Sequence, residues 1–362
     1  MNQNKTMTLF NKSIALLLLL SGVLFFSCNQ KIPAPYSQNE NPLTEYFKSD
    51  ESGVKNGGIK IIPIETPKGK FNVWTKRFGN NPKIKMLLLN GGPGCTHEYF
   101  ECMESYLPSE GIEFIYYDQL ACGNSDNPKD TSLYDLARYV EEVEQLRIAL
   151  GLNKDNFYLL GHSWGGILCM QYALKYQDNI KGLIISDMMS DCPAYGKYAE
   201  DVLSKTMKPE VLDSIRMLEA KKDFQNPRYM KLLMENFYSQ HICRIPINEW
   251  PEPVNRSFAK MNNDLYVLMQ GPSEFGVGGK LANWNVFDQL KTLKIPTLVI
   301  GARYDTMDPD HMKKMSEQVQ NGSYLFCPNG SHMCMWDDQE VYMSGLIKFI
   351  KAVDAGEKKV AM

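Results

Sequence analysis

Tyr158-Leu159-Leu160-Gly161-His162-Ser163-Trp164-Gly165-Gly166 is the stretch whose reading decides the fold. An apolar, β-rich run leads into it. A helical pattern follows, through Ile167, Leu168, Met170, Tyr172, Ala173 and Leu174. The pattern predicts a strand, a sharp turn at Ser163 and a helix. Gly161 and Gly165 stand two residues to either side of Ser163, in the G-x-S-x-G arrangement of a nucleophile elbow. Larger side chains at those glycines would collide with the neighbouring strand or helix. A serine at such a turn stands clear of the backbone at a helix N-terminus, where free N–H groups and the helix dipole favour a developing negative charge.

Working outward, the 362 residues are 44% apolar and 22% charged, enough for one large domain with an insertion. A net charge of −3 without a basic stripe argues against nucleic-acid binding. No solenoid-like period is present. The cysteines are scattered without a C-x-x-C pair, so neither a zinc site nor a redox motif is indicated, and no metal or cofactor is expected. Apart from Cys28, most lie in apolar runs and read as buried thiols.

The N-terminus reads separately. Lys5 and Lys12 precede an almost unbroken apolar run, Ile14 to Phe26, of the length of a signal-peptide core and short for a membrane span. It ends at Ser27-Cys28. This resembles a bacterial lipoprotein signal, with residues 1–28 a signal peptide ending at a lipidated Cys28. Residues 29–55, rich in Pro, Asn, Ser and Glu, read as a linker. The expectation is an exported enzyme body, tethered to the membrane through an N-terminal lipid on the periplasmic or cell-surface side. The alternative is an uncleaved anchor helix.

Strand patterns begin at Ile59 to Ile64 and Phe71 to Phe78, an antiparallel pair across Pro67-Lys68-Gly69-Lys70. The run Met86-Leu87-Leu88-Leu89 has the continuous apolar character of a strand buried on both faces. It leads into Asn90-Gly91-Gly92-Pro93-Gly94, where glycines let the backbone approach a ligand. Further strands are predicted at Ile112 to Asp118, Ile180 to Ser186, Ile295 to Ile300 and Tyr324 to Cys327. Helices are predicted at Leu133 to Leu150, Asp308 to Val319 and Asp338 to Ala355. The βα alternation stops between about 187 and 289, where Met and aromatic residues fall at helical spacing punctuated by prolines. The expected class is α/β, a mostly parallel sheet in two parts, 56–186 and 290–362. An inserted helical cap over 187–289 has a minority of its Met and aromatic side chains forming an apolar wall of the active site.

A serine hydroxyl is a weak nucleophile. It needs a base within hydrogen-bond reach, and the base needs an acid to fix its tautomer. Ser163, Asp305 and His332 follow the chain order Ser, Asp, His of α/β-hydrolases. Asp305 and His332 each fall in a loop just past a predicted strand. Of the five histidines, His162 is beside the nucleophile, His97 precedes the elbow, His241 is in the cap and His311 lies on a helix. Asp308 rivals Asp305 as the acid, but Asp308-Pro309 reads better as the N-cap and first residue of a helix. In such folds one oxyanion donor comes from the loop after the earlier strand, placed at Gly92, and the other from the residue after the nucleophile, the amide of Trp164.

Asn90-Gly91-Gly92-Pro93-Gly94, Tyr117-Asp118-Gln119 with Gly123-Asn124-Ser125, Gly161-His162-Ser163-Trp164-Gly165-Gly166, Gly301 to Asp305, and Ser331-His332 with Met335-Trp336 together resemble the motif set of the proline iminopeptidase family of α/β-hydrolases. The chain resembles most the tricorn-interacting aminopeptidases among them, over roughly 55–355. The resemblance implies an α/β-hydrolase fold and a serine aminopeptidase releasing an N-terminal residue, often proline, from short peptides. It also implies a cap glutamate binding the substrate α-amine, matched by Glu274 in Gly271-Pro272-Ser273-Glu274-Phe275. Two positions depart from the family pattern: Asn90 stands where a histidine is usual, and Thr306 where related peptidases often carry a second glutamate. The alternatives are an esterase or amidase for small apolar substrates using the same triad, and a non-catalytic peptide-binding lipoprotein.

Overall fold

The computed structural model of the chain describes residues 58–362. β1 (Ile59–Thr66) and β2 (Gly69–Phe78) form an antiparallel hairpin, with Gly69 supplying the left-handed residue of the turn at φ +111°. β3 (Lys85–Leu89), β4 (Glu113–Asp118), β5 (Phe157–His162), β6 (Gly182–Ser186), β7 (Thr297–Ala302) and β8 (Gly322–Cys327) complete one eight-stranded sheet in the order β1-β2-β4-β3-β5-β6-β7-β8. β2 runs antiparallel to β4, and every pairing from β4 to β8 is parallel.

The runs Met86 to Leu89 and Phe157 to His162 are buried throughout, because both faces of the sheet are covered. Leu87, Leu89 and Leu159 point into the core on one side, and Met86, Leu88, Tyr158 and Leu160 into the core on the other. α1 (Leu136–Ala149) and α2 (Trp164–Tyr176) pack on the first side. α1 starts at Leu136 because the Asp135 carboxylate caps it, accepting from Ala137 N and Arg138 N.

Between β6 and β7 lie α3 (Cys192–Asp201), α4 (Pro209–Ala220), α5 (Pro227–Leu233), α6 (Glu252–Ala259) and α7 (Asn263–Met269). The segment expected as a helical cap is helical as far as Met269 and irregular from Gln270 to Val286. Its glycines account for the irregularity. Gly271 and Gly276 take φ +120° and +97°, and a Cβ on Gly279 would run into the Met269 carbonyl. After β7, α8 (Pro309–Gln318) joins the first core, and α9 (Gln339–Asp354) closes the second through Tyr342, Met343, Leu346, Phe349 and Ile350.

The strand order places the site. From β3 the chain moves outward to β4, and from β5 it moves the other way to β6, so their C-terminal ends flank a topological switch point. Leu89 pairs with Gly161, which sets the loop after β3 beside the turn after β5.

Candidate active site

Ser163 stands between β5 and α2 at φ +56°, ψ −125°, a conformation that side chains rarely adopt. Close packing holds it there. A Cβ on Gly161 would run into the Gly165 carbonyl, and one on Gly165 into the Leu89 carbonyl. Ser163 N–H donates to Ser186 O at 3.1 Å, anchoring the turn to β6. Gly91 closes the other side, where an added Cβ would come within 2.9 Å of Ser163 Cβ.

His332 follows β8 and Asp305 follows β7. His332 Nδ1–H donates to Asp305 Oδ1 at 2.7 Å, and Thr306 Oγ1 donates to the same oxygen at 3.2 Å. Both His332 and Asp305 are buried. Burial alone would depress the His332 pKa, but the Asp305 carboxylate offsets it and holds the imidazole above its ordinary value. The loop is fixed to the helical segment: His332 N–H donates to His241 O at 3.0 Å and Met333 N–H to Ile242 O at 2.8 Å. Asp308, the rival acid, is the N-cap of α8, accepting from Asp310 N.

Ser163, His332, Gly92 and Glu274 line one cavity of about 600 Å³, walled on the helical side by Met230, Met234, Trp250, Phe258 and Met261 among others. Gly91 N–H is committed to Tyr99 Oη at 2.6 Å, which leaves Gly92 as the next amide of the loop beside the serine. Trp164 is the first residue of α2, where an amide has no acceptor within its own helix. Its indole Nε1 donates to Gln119 Oε1 at 2.8 Å, and Gln119 Nε2 donates to Asn90 O at 3.0 Å. Asn90 closes its own loop through a bond from Nδ2 to Cys95 O. The residue that departs from the family pattern thus tethers the glycine loop.

Glu274 sits partly exposed on the cavity wall. Tyr266 Oη donates to its Oε1 at 2.6 Å, Tyr195 Oη to its backbone carbonyl at 2.6 Å, and its own N–H donates to Tyr238 Oη at 3.2 Å. Burial pushes its carboxyl above the usual range, against the pull of His332 and Tyr266.

The remaining histidines are engaged elsewhere. His97 Nδ1 lies 2.8 Å from Asp118 Oδ1, His241 Nδ1 lies 2.8 Å from Tyr304 O, and His311 Nε2 lies 3.3 Å from Ser190 Oγ. The eight described cysteines are free and buried. Sequence reasoning missed Asp187, at the end of β6 with φ +51°. Burial, reinforced by the Asp305 charge, pushes its carboxyl well above the carboxylate range. It accepts from Ser186 Oγ at 2.7 Å and from Cys334 Sγ at 3.2 Å. The signal available was an acidic residue directly after a buried strand.

A mostly parallel sheet with an elbow serine at its switch point, an acid after β7 and a histidine after β8 is the architecture of an α/β-hydrolase. The family model described as the alpha/beta hydrolase fold matches residues 85–339. The chain is 59% identical over 300 residues to the proline iminopeptidase of Flavobacterium johnsoniae, across 83% of this chain and all of that one. It is 59% identical over 296 residues to that of Elizabethkingia meningoseptica, across 81% and 98%. The crystal structure of the Mycobacterium smegmatis proline iminopeptidase superposes with a TM-score of 0.72 at 26% identity, covering 82% and 99%. The chain belongs to the proline iminopeptidase family of α/β-hydrolases.

The comparison corrects one expectation. The whole of the Flavobacterium relative is matched within 83% of this chain, and what that match supports is a hydrolase, a proline iminopeptidase. No helix among the described residues is long and apolar enough to cross a membrane. Cys28 and the expected lipid tether lie outside the described residues. The expected descriptions lipoprotein, signal peptide and membrane-bound find no support in the relatives matched.

Proposed function

We propose that Ser163, His332 and Asp305 form the catalytic triad of a serine aminopeptidase, with Glu274 as the acceptor of the substrate α-ammonium. The enzyme releases an N-terminal residue, proline or another apolar residue, from short peptides. Ser163 Oγ attacks the scissile carbonyl while His332 Nε2 takes its proton. The amides of Gly92 and Trp164 receive the oxyanion. His332 then gives the proton to the leaving nitrogen, and the released peptide leaves an acyl-enzyme ester on Ser163. Water, deprotonated by His332, hydrolyses that ester. Asp305 holds the proton on Nδ1, so that Nε2 is the basic nitrogen, and stabilises the imidazolium.

The observation that carries this reading is the 2.7 Å His332–Asp305 bond at the edge of a cavity shared with Ser163 and Glu274. The carboxylate separates the peptidase from the esterase reading, since a small apolar ester would bring Glu274 no cation to pair with. The test is a panel of aminoacyl-fluorophores with free and N-acetylated amines on the full chain. Free amines should be cleaved and acetylated ones nearly inert. Equal rates on both would favour the esterase or amidase.

A further inference from the structure

Four groups run in a line from the glycine loop to the histidine loop. Gly91 N–H lies 2.6 Å from Tyr99 Oη, Tyr99 Oη lies 3.2 Å from His162 Nδ1, and His162 Nε2 lies 2.8 Å from the backbone carbonyl of His332. The two ends fix the direction of every bond between them. A carbonyl can only accept, so His162 Nε2 carries the proton and donates it. Burial holds the His162 imidazole neutral, far below its ordinary pKa. Nδ1 is then bare and accepts, so Tyr99 Oη donates to it. The phenol oxygen is left to accept from Gly91 N–H, which can only donate. Each donor meets an acceptor, with no choice of tautomer remaining.

We propose that Tyr99 and His162 are positioning residues: a relay locking the oxyanion loop at Gly91–Gly92 to the backbone of His332. Resting on the triad reading above, the relay sets the distance between the two loops that must converge on one carbonyl carbon. Both residues are 1% exposed, so water has little access to replace either bond. The relay is separate from the Asp305 bond. Asp305 orients the His332 ring through Nδ1, whereas His162 holds its main chain. Gly91 also packs directly on Ser163, so slack in this loop moves the oxyanion donor relative to the nucleophile. The rings reinforce the arrangement, with Tyr99 and His162 centroids 5.3 Å apart and His162 and His332 centroids 4.9 Å apart.

Tyr99→Phe removes only the hydroxyl and breaks both of its links. Displacements of the order of 1 Å at a reacting centre cost about 100-fold. The expected result is a kcat lower by about 10- to 100-fold, with KM within about twofold. His162→Gln breaks the relay at its other joint and should lose a similar factor. The double variant should lose little more than the worse single one, because a broken chain cannot be broken twice. Tyr158→Phe is the control, since Tyr158 is an equally buried phenol bonded to Ile350 O at 3.3 Å away from the cavity. Its kcat should stay within about twofold of the wild type.

All rates are divided by the fraction of Ser163 that a fluorophosphonate labels at completion, which removes unfolded protein from the count. Complete labelling of the wild type tests the triad reading independently. With that labelling in hand, an unchanged kcat for Tyr99→Phe overturns the relay. So do losses from Tyr99→Phe and His162→Gln that multiply in the double variant, and an equal loss from Tyr158→Phe.

Discussion

Glu274→Gln separates the recognition of a peptide N-terminus from the chemistry of the triad. The substitution keeps the shape of the side chain. Its amide oxygen can still accept from Tyr266, and the backbone bonds to Tyr195 and Tyr238 are untouched. What disappears is one negative charge on the wall of a largely apolar cavity. In the complex, a substrate ammonium would be left there without its counter-ion. Removing one partner of a desolvated charge pair costs about 2–5 kcal/mol, much of it the penalty on the charge left behind. Glu274 is partly open to the cavity, so the lower part of that range applies, about 2–3.5 kcal/mol. At about 1.4 kcal/mol per decade this is roughly a 30- to 300-fold loss in kcat/KM on a free-amine substrate. A small activated ester without an amine should lose less than about threefold, since the triad is unchanged. The assay is kcat/KM for a prolyl-fluorophore and for the ester, on wild type and variant. Equal losses on the two substrates would refute the reasoning, because Glu274 would then be supporting the fold or the triad.

Three further outcomes follow from the geometry. Asp305→Asn should lower kcat by about 10⁴, whereas Asp308→Ala should cost only a helix cap, about 1 kcal/mol in a denaturation curve, and reversed kinetics would redraw the triad. His332 must be neutral to accept the Ser163 proton, and its pKa is held above its ordinary value of 6.5. The acid limb of kcat/KM should therefore have its midpoint above pH 6.5, activity falling as pH falls through it, and a wild-type midpoint below about 6 would contradict this. Gly161→Ala pushes a methyl group into the Gly165 carbonyl and should destabilise the protein by at least about 3 kcal/mol, read as a lowered Tm; an unchanged Tm would mean the elbow tolerates what its packing excludes.

The parts legible in the sequence were those governed by local patterns. Met86 to Leu89 and Phe157 to His162 read as buried strands because a parallel strand covered on both faces needs an uninterrupted apolar run. Ser163 read as an elbow because only glycine fits at 161 and 165. Asp305 was separable from Asp308 because Asp-Pro is a helix-start signal, and Asp308 does cap α8. The less legible features depend on contacts distant in sequence. Tyr99 meets His162 across 63 positions, and His162 meets His332 across 170, so no local pattern announces the relay. The irregular stretch after Met269 falls in a segment whose Met and aromatic spacing predicts helix, while Gly271, Gly276 and Gly279 decide otherwise. The apolar run ending at Cys28 lies outside residues 85–339, which the alpha/beta hydrolase family model matches.

The central claim is that Ser163 carries the acyl group under the control of His332 and Asp305. It is tested most directly by fluorophosphonate labelling of the full chain, with intact-mass and peptide mapping, beside the turnover of Ser163→Ala on a prolyl-fluorophore. The account predicts one adduct per chain, on Ser163, activity lost in proportion to it, and a rate in Ser163→Ala lower by about 10⁴–10⁶. An adduct on another residue, or more than a few per cent of activity in Ser163→Ala, would contradict it.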